Sequence, residues 1–156
     1  MANDRSKRLG NGGAALASTS AGGAVREFKI PVECDLDIIG ARQKGREMAC
    51  DVGLSPGDAT LVATAISELA CNIILYAKRG HIILQSITRG DTPGIAIIAR
   101  DEGPGIPDIR RALQDGYSTS RSLGLGLPGV RRLMDEFDIV SEVDRGTWVT
   151  VRKWRR

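Results

Sequence analysis

The run SPGDATLVATAISELACNIILYAKRG, residues 55–80, constrains this chain more than any other stretch. Ser55 can cap a helix, Pro56 suits its first position, and Asp58 completes an S-x-x-D box. Val62, Ala65, Ile66, Leu69, Ile73 and Tyr76 then recur at three- and four-residue steps, and Gly80 stops the pattern. That apolar stripe has to be buried against something. Yet Glu68 and Asn72 stand four apart, on one helix face, among Leu69, Ala70, Cys71, Ile73, Ile74 and Leu75. A carboxylate and a carboxamide in such surroundings are costly unless partnered. Either they satisfy each other, or Asn72 offers its oxygen to Mg²⁺ while Glu68 orients or deprotonates a nucleophile.

The rest of the chain supplies what the helix packs on. VREFKIPV, residues 25–32, predicts a strand stopped by Pro31. A helix is expected over about 35–52, with Ile38, Ile39, Ala41 and Met48 inward, although Gly40 and Gly45 weaken it. HIILQSIT and GIAIIAR are β-rich, and the turn-forming RGDTPG between them predicts antiparallel pairing. A short helix is expected from Pro107 to near Gly116. The polar YSTSRS and the glycine-rich SLGLGLPGV follow, then a helix with Val130, Leu133, Met134 and Phe137 on one face. DIVSEV and TWVTVRKW read as a hairpin around DRG. These elements predict an α/β fold, a two-layer sandwich of a mixed, largely antiparallel sheet packed on helices. Residues 1–24, rich in Gly, Ala, Ser and Thr without apolar period, read as a disordered extension to one domain over 25–156.

With 156 residues, 42% hydrophobic and 26% charged, the chain can build one core without metal or disulfide staples. No apolar run approaches the roughly 18 residues that span a bilayer, so no membrane association is expected. Cys34, Cys50 and Cys71 are odd in number and form no C-x-x-C, which reads as reduced thiols in the cytoplasm. The net charge of +3 belongs to the ends. Residues 1–24 carry +2 and the terminal RKWRR carries +4, so the body between is mildly acidic. A nucleic-acid partner would rest on RKWRR alone, and a basic tail of this kind reads as a solvated end. No nucleic acid is expected.

Gly124, Gly126 and Gly129 lie where a helix should begin. GLGLPG satisfies G-x-G-x-x-G, but the dinucleotide fingerprint needs a buried strand before it, and here DGYSTSRSL is polar. Only 12 residues follow Asp144, too few for further βαβ units. No G-x-x-x-x-G-K-[ST] exists either. What remains is a tight turn that lets the helix pack, or backbone N–H groups at a helix entry offered to phosphate oxygens. In IIARDEGPGIP, Asp101 falls where an apolar strand ends. It is an ordinary Asp-Gly turn, or a carboxylate able to accept from an exocyclic amine such as that of adenine.

E-x-x-x-N, D-x-G-x-G, G-x-G before a helix and a late Gly146–Thr147 occur in this order over residues 68–147. The order resembles the GHKL ATPase superfamily and its Bergerat-type ATP-binding fold. DGYSTSRSLGLGLPGVRRLMDEF further resembles the anti-sigma-factor branch of serine/threonine kinases, and LPGVRRLMDEF with the terminal RKW is similar to the switch kinases of bacterial stressosomes. The likeness covers roughly residues 26–154.

The resemblance implies ATP and Mg²⁺ as cofactors. It gives Asn72 the metal, Glu68 the role of base toward an acceptor hydroxyl, and Asp101 adenine recognition. Gly103 and Gly105 would shape that pocket, with Thr147 beside it. Gly124, Leu125 and Gly126 would meet phosphates through their backbone. Ile106, Ser118, Thr119 and Leu127 complete the implied ATP contacts, and residues 106–123 would form a lid. One position departs from many relatives, since Tyr76 stands four after Asn72 where histidine is frequent. The implied activity is phosphorylation of STAS-domain antagonist or scaffold proteins, together with binding and activation of a PP2C-type phosphatase. The alternative is an anti-sigma factor that sequesters a sigma subunit. A histidine kinase is disfavoured, because His81 is the one histidine and falls in a strand.

The extension yields a direct expectation. A chain beginning at Val25 should match the full sequence in ATP affinity and thermal stability, since residues 1–24 bury little apolar surface. Calorimetry on both chains checks this, and a melting temperature several degrees lower would show that the extension packs on the domain.

Overall fold

A computed structural model of the chain describes residues 25–114 and 126–156. Its elements are β1 (Glu27–Val32), α1 (Asp35–Asp51), α2 (Pro56–Asn72), β2 (Gly80–Arg89), β3 (Thr92–Asp101), α3 (Ile109–Ala112), α4 (Gly126–Leu133), β4 (Glu136–Glu142) and β5 (Gly146–Trp154). The strands form one sheet in the order β1-β2-β3-β5-β4, and every neighbouring pair is antiparallel. The expected α/β two-layer sandwich is present, with an antiparallel rather than mixed sheet among the described residues. The expectations for residues 1–24 and for the loop before Gly126 lie outside those residues.

Local chemistry explains most boundaries. Ser55 caps α2, its hydroxyl accepting the Asp58 N–H at 3.1 Å. The Asp37 carboxylate accepts the N–H groups of Glu33 and Cys34 at the start of α1, which holds its pKa below the usual range despite some desolvation. Both hairpins form, β2 with β3 and β4 with β5.

One layer of the core comes from Met48 of α1, Val62, Ile66 and Leu69 of α2, and Val130 of α4. The other comes from Ile82 and Leu84 of β2, Ile95 and Ile97 of β3, and Val149 and Val151 of β5. Gly45 lets Ile66 of α2 pack directly on the α1 backbone, because a Cβ there would overlap the Ile66 side chain. By length and composition Pro56–Ala77 could cross a membrane, with 22 residues and mean hydropathy 1.6, which corrects the expectation that no run approaches that limit. It is the central core helix here, half of that window being buried inside the fold.

Several expectations fail for identifiable reasons. Pro31 does not stop β1 but lies within it, opposite His81. A strand at the edge of a sheet needs no second row of ladder bonds, so proline is tolerated there. Ile39 points outward at 62% exposure, leaving Ala41 and Met48 to carry the buried stripe of α1. The helix expected from Pro107 is the single turn Ile109–Ala112, capped by Asp108. Phe137 belongs to β4 and not to the preceding helix, which ends at Leu133.

The terminal RKWRR is also not a solvated tail. Arg152 pairs with Glu136 at 3.3 Å, Arg156 with Asp135 at 3.0 Å, and the Trp154 indole donates to Glu136 at 3.0 Å. Lys153 is buried, its ammonium donating to the Leu133 carbonyl at 2.9 Å and lying 3.6 Å from Asp135 and 3.8 Å from Asp58. One cation thus ties β5 to the starts of α2 and β4 and to the end of α4.

Asp135 registers that network. Burial alone would raise its pKa, but the Trp154 N–H and the charges of Lys153 and Arg156 outweigh this and hold it below the ordinary range. A depressed folded-state pKa contributes stability above about pH 4 that is lost as pH falls through the lowered value. Asp135→Asn should therefore lose roughly 1–2 kcal/mol near pH 7, the partial exposure of the pair discounting the cost of a buried one. Its stability should then fall less steeply than wild type below about pH 4. Urea unfolding at a series of pH values measures both slopes.

Candidate functional site

The site begins with strand register. β3 and β5 pair so that Asp101, the last residue of β3, stands opposite Thr147, the second residue of β5. The Thr147 N–H donates to Asp101 Oδ1 at 3.3 Å, and the Gly103 N–H donates to the same oxygen at 2.9 Å. Oδ2 of Asp101 has no partner among the described residues. Gly146 makes this crossing possible. Its φ is 124°, and a Cβ would overlap the Asp101 carbonyl oxygen.

Asp101 and Thr147 form one wall of a cavity of about 400 Å³ between the sheet and the helices. That size suits a small-molecule ligand. Ala99 and Val149 extend the wall as apolar surface, and Leu69 and Ile73 face them from the helix side. Asn72 lines the cavity at the end of α2. Gly105, Ile106, Gly126 and Leu127 line it too, with Gly126 at a left-handed φ of 55° where the chain enters α4. Among the described candidates the structure therefore gathers Asn72, Asp101, Gly105, Ile106, Gly126, Leu127 and Thr147 around one space.

Two others stand behind it. Gly103 does not line the cavity but lies against Ala77, where a Cβ would come within 2.6 Å. Glu68 is buried at 1% exposure one turn inward from Asn72 and is not part of the lining either. Ser118, Thr119, Gly124 and Leu125 lie outside the described residues.

Sequence reasoning placed Tyr76 on the inward stripe, but it is half exposed and lines the cavity mouth. The cause is a change of helical period. After Asn72 the backbone widens to an i→i+5 turn over Ile73–Ala77 and ends at Lys78, with φ of 70°. A stripe computed at 3.6 residues per turn loses phase there. Pro107, Asp108 and Arg111 of the lining fall in the span expected as a lid without having been singled out, and Pro104 was not assigned to the site. Ser141 was missed as well, though it ties the site together by accepting the Ile106 N–H at 2.8 Å and lying 2.8 Å from Thr147 Oγ1.

The donor set restricts what can bind. Among the described residues no group of three or more His, Cys, Asp or Glu could hold a metal ion. A cation at Asn72 would take one amide oxygen from this site and the rest from ligand oxygens and water, which fits Mg²⁺ held with a phosphate chain. Asp101 offers an acceptor against apolar walls, which fits the amine edge of a flat base. Burial pushes the Cys71 thiol up, and the negative charges of Glu68 and Asp35 add to this, so it is no activated nucleophile.

Residues 30–153 match the family described as the histidine kinase-like ATPase domain. The chain belongs to that family. It is 48% identical over 127 residues to the serine/threonine-protein kinase RsbT of Bacillus subtilis, covering 81% of this chain and 96% of the relative. It is 32% identical over 99 residues to the anti-sigma F factor of Thermoanaerobacter sp., and 34% identical over 100 residues to that of Geobacillus stearothermophilus. Each of these alignments covers 60% of this chain and 68% of the relative. Family membership agrees with the order of the boxes from Glu68 to Thr147, all of which fall inside the matched span.

The crossing at Gly146 can be tested directly. Gly146→Ala should cost more than about 1 kcal/mol, because alanine is disfavoured at positive φ and its methyl group meets backbone. Thermal unfolding reads the loss. Nucleotide affinity should fall with it, since Thr147 moves relative to Asp101.

Proposed function

We propose that this chain is an ATP- and Mg²⁺-dependent serine/threonine protein kinase of the switch type, acting in the cytoplasm on STAS-domain antagonist or scaffold proteins. Binding and activation of a PP2C-type phosphatase completes the proposed partner switch. The observation that carries this reading is the placement of Asn72 at the cavity opposite the Asp101–Thr147 wall, in a chain 48% identical to a serine/threonine-protein kinase across nearly all of that relative.

In this reading Asp101 accepts the exocyclic amine of adenine, and the apolar walls hold the base. Gly126 and Leu127, at the entry of α4, lie toward the phosphates together with Gly124 and Leu125, and Ser118 and Thr119 belong to the lid. Asn72 gives its amide oxygen to Mg²⁺, which neutralises phosphate charge when bound. Such positioning and charge neutralisation supply most of phosphoryl transfer. Glu68 takes the proton of the acceptor hydroxyl. Because Glu68 lies one turn behind Asn72 and outside the cavity lining, the acceptor has to reach it past that lining, directly or through one water.

A second reading has support of its own, in the two anti-sigma F factors that share about a third of their aligned residues with this chain. There the same nucleotide site would serve a protein that sequesters a sigma subunit. Co-purification with a sigma factor favours that reading, and phosphorylation of a STAS protein favours the kinase.

Parallel measurements on two variants test the assigned roles. Asn72→Ala should lose Mg²⁺-dependent ATP binding and phosphorylation together. Glu68→Gln keeps size and hydrogen bonding but cannot take a proton. It should bind Mg-ATP nearly as wild type yet transfer phosphate on the order of 10²–10⁴-fold more slowly. Calorimetry with ATP and single-turnover mass spectrometry of a STAS partner separate the two, and transfer by Glu68→Gln at the wild-type rate would remove it as the base.

A further inference from the structure

A second cavity, of about 510 Å³, opens on the side of the sheet away from the helices. Ile82 and Ala99 turn to the core, so their neighbours His81 and Arg100, paired across β2 and β3, turn to the opposite face. Lys29 has the same outward phase on β1, and Arg79 stands just before β2. These four basic side chains line the cavity with Glu33 and Glu102. We propose that it is an anion site that takes a phosphoryl group, with Lys29, Arg79 and Arg100 as its cations and His81 as a further N–H donor.

The positive charge there is not neutralised by the fold. Among the described residues, Arg26, Arg89, Arg145, Arg152 and Arg156 each pair with a carboxylate. Lys29, Arg79 and Arg100 do not, although Glu33 and Glu102 stand in the same lining. Asp101 borders this cavity too, but its carboxylate is turned to the first one, where the Thr147 N–H donates to it. Three cations thus face two carboxylates. Arg100 is also held in place, its guanidinium lying 5.0 Å from the centre of the Trp148 ring, which is opposite it on β5. Stacking occupies the face of the guanidinium and leaves its N–H edge for an acceptor in its plane.

The spread of these donors favours a phosphoryl group over a carboxylate. A carboxylate carries one charge and two oxygens, which a single arginine fork satisfies. A phosphoryl group brings nearly two charges and three strong acceptor oxygens. It can therefore meet donors from β1, β3 and the start of β2 together. The remaining volume leaves room for a carrier, so the group can be free phosphate or a phosphorylated side chain of a protein.

The test is an NMR titration of the full chain with inorganic phosphate at constant ionic strength, with Mg²⁺ and a non-hydrolysable ATP analogue added to fill the first cavity. Signals of Lys29, His81 and Arg100, which line only the second cavity, should move together and saturate. Arg79→Gln and Arg100→Gln should each weaken phosphate about fivefold or more, since each removes a charge-assisted bond at a partly exposed site. Arg46→Gln, an equal loss of charge at an exposed position of α1, should leave the affinity unchanged. Glu102→Gln, which removes a like charge from the lining, should tighten phosphate about twofold or more. Acetate should bind at least about fivefold more weakly than phosphate. Should Arg100→Gln fail to fold without its stack on Trp148, Arg79→Gln, in an exposed connection, makes the same comparison. A phosphoserine flanked by glycines forms the second arm. Tighter binding than phosphate with the same variant pattern names a phosphorylated protein as the source, and no gain names the free anion. The absence of saturating shifts at Lys29, His81 and Arg100 overturns the proposal. So does equal weakening by Arg46→Gln, which marks diffuse attraction to net charge, or acetate binding as tightly as phosphate. None of these readouts uses catalysis, so they stand or fall apart from the kinase reading.

Discussion

The pairing of β3 with β5 is the constraint on which the rest depends. It joins Asp101 to Thr147 across 46 positions of sequence, and neither strand end has a site without the other. What fixes the register is the core and not the site. Ile95, Ile97 and Ala99 on β3, with Val149 and Val151 on β5, all turn to the helices. A slip of one residue would carry Trp148 into the core and Thr147 to the outer face. Burial of apolar area therefore aligns the polar pair, and Gly146 at one end and Gly94 at the other leave out methyl groups that would meet the backbone of the facing strand.

Much of this was legible locally. The α2 stripe, its Ser55 cap and the two hairpins announce themselves within windows of a dozen residues, where helix and strand periods are clear. The misreadings arise where long-range packing decides. Pro31 is compatible with β1 only because β1 is an edge, which no local window contains. Tyr76 is displaced by a widened turn, and Phe137 by the tight end of α4 after Leu133. RKWRR looked solvated because its acidic partners, Glu136, Asp135 and Asp58, are spread over two other segments.

Legibility of the site follows the same division. Glu68, Asn72 and Asp101 stand out because each breaks an apolar pattern. Ser141 and Lys153 break one too, in a quieter way. Phe137, Ile139 and Ser141 share the inward phase of β4, as Val149, Val151 and Lys153 share that of β5. A polar residue on the inward phase of a strand was the available signal. It went unread because apolar Val140 and Trp154 stand on the outward phase beside them and blur the alternation.

The site thus has two parts with different origins. Asn72 and Glu68 come from consecutive turns of one helix, so their relation is set by local geometry alone. The Asp101–Thr147–Ser141 row is set by the sheet, through contacts distant in sequence. Under either reading proposed above, the kinase or the sequestering factor, the second part would serve unchanged, since each takes the nucleotide to be held there. They must differ in what they present around it. Leu36 and Ile39 on α1, and Val140 and Trp148 on the outer face of the sheet, are exposed and add nothing to the core or to the cavity lining. Substitution at such positions leaves untouched the packing that fixes the register and the Asp101–Thr147 pair.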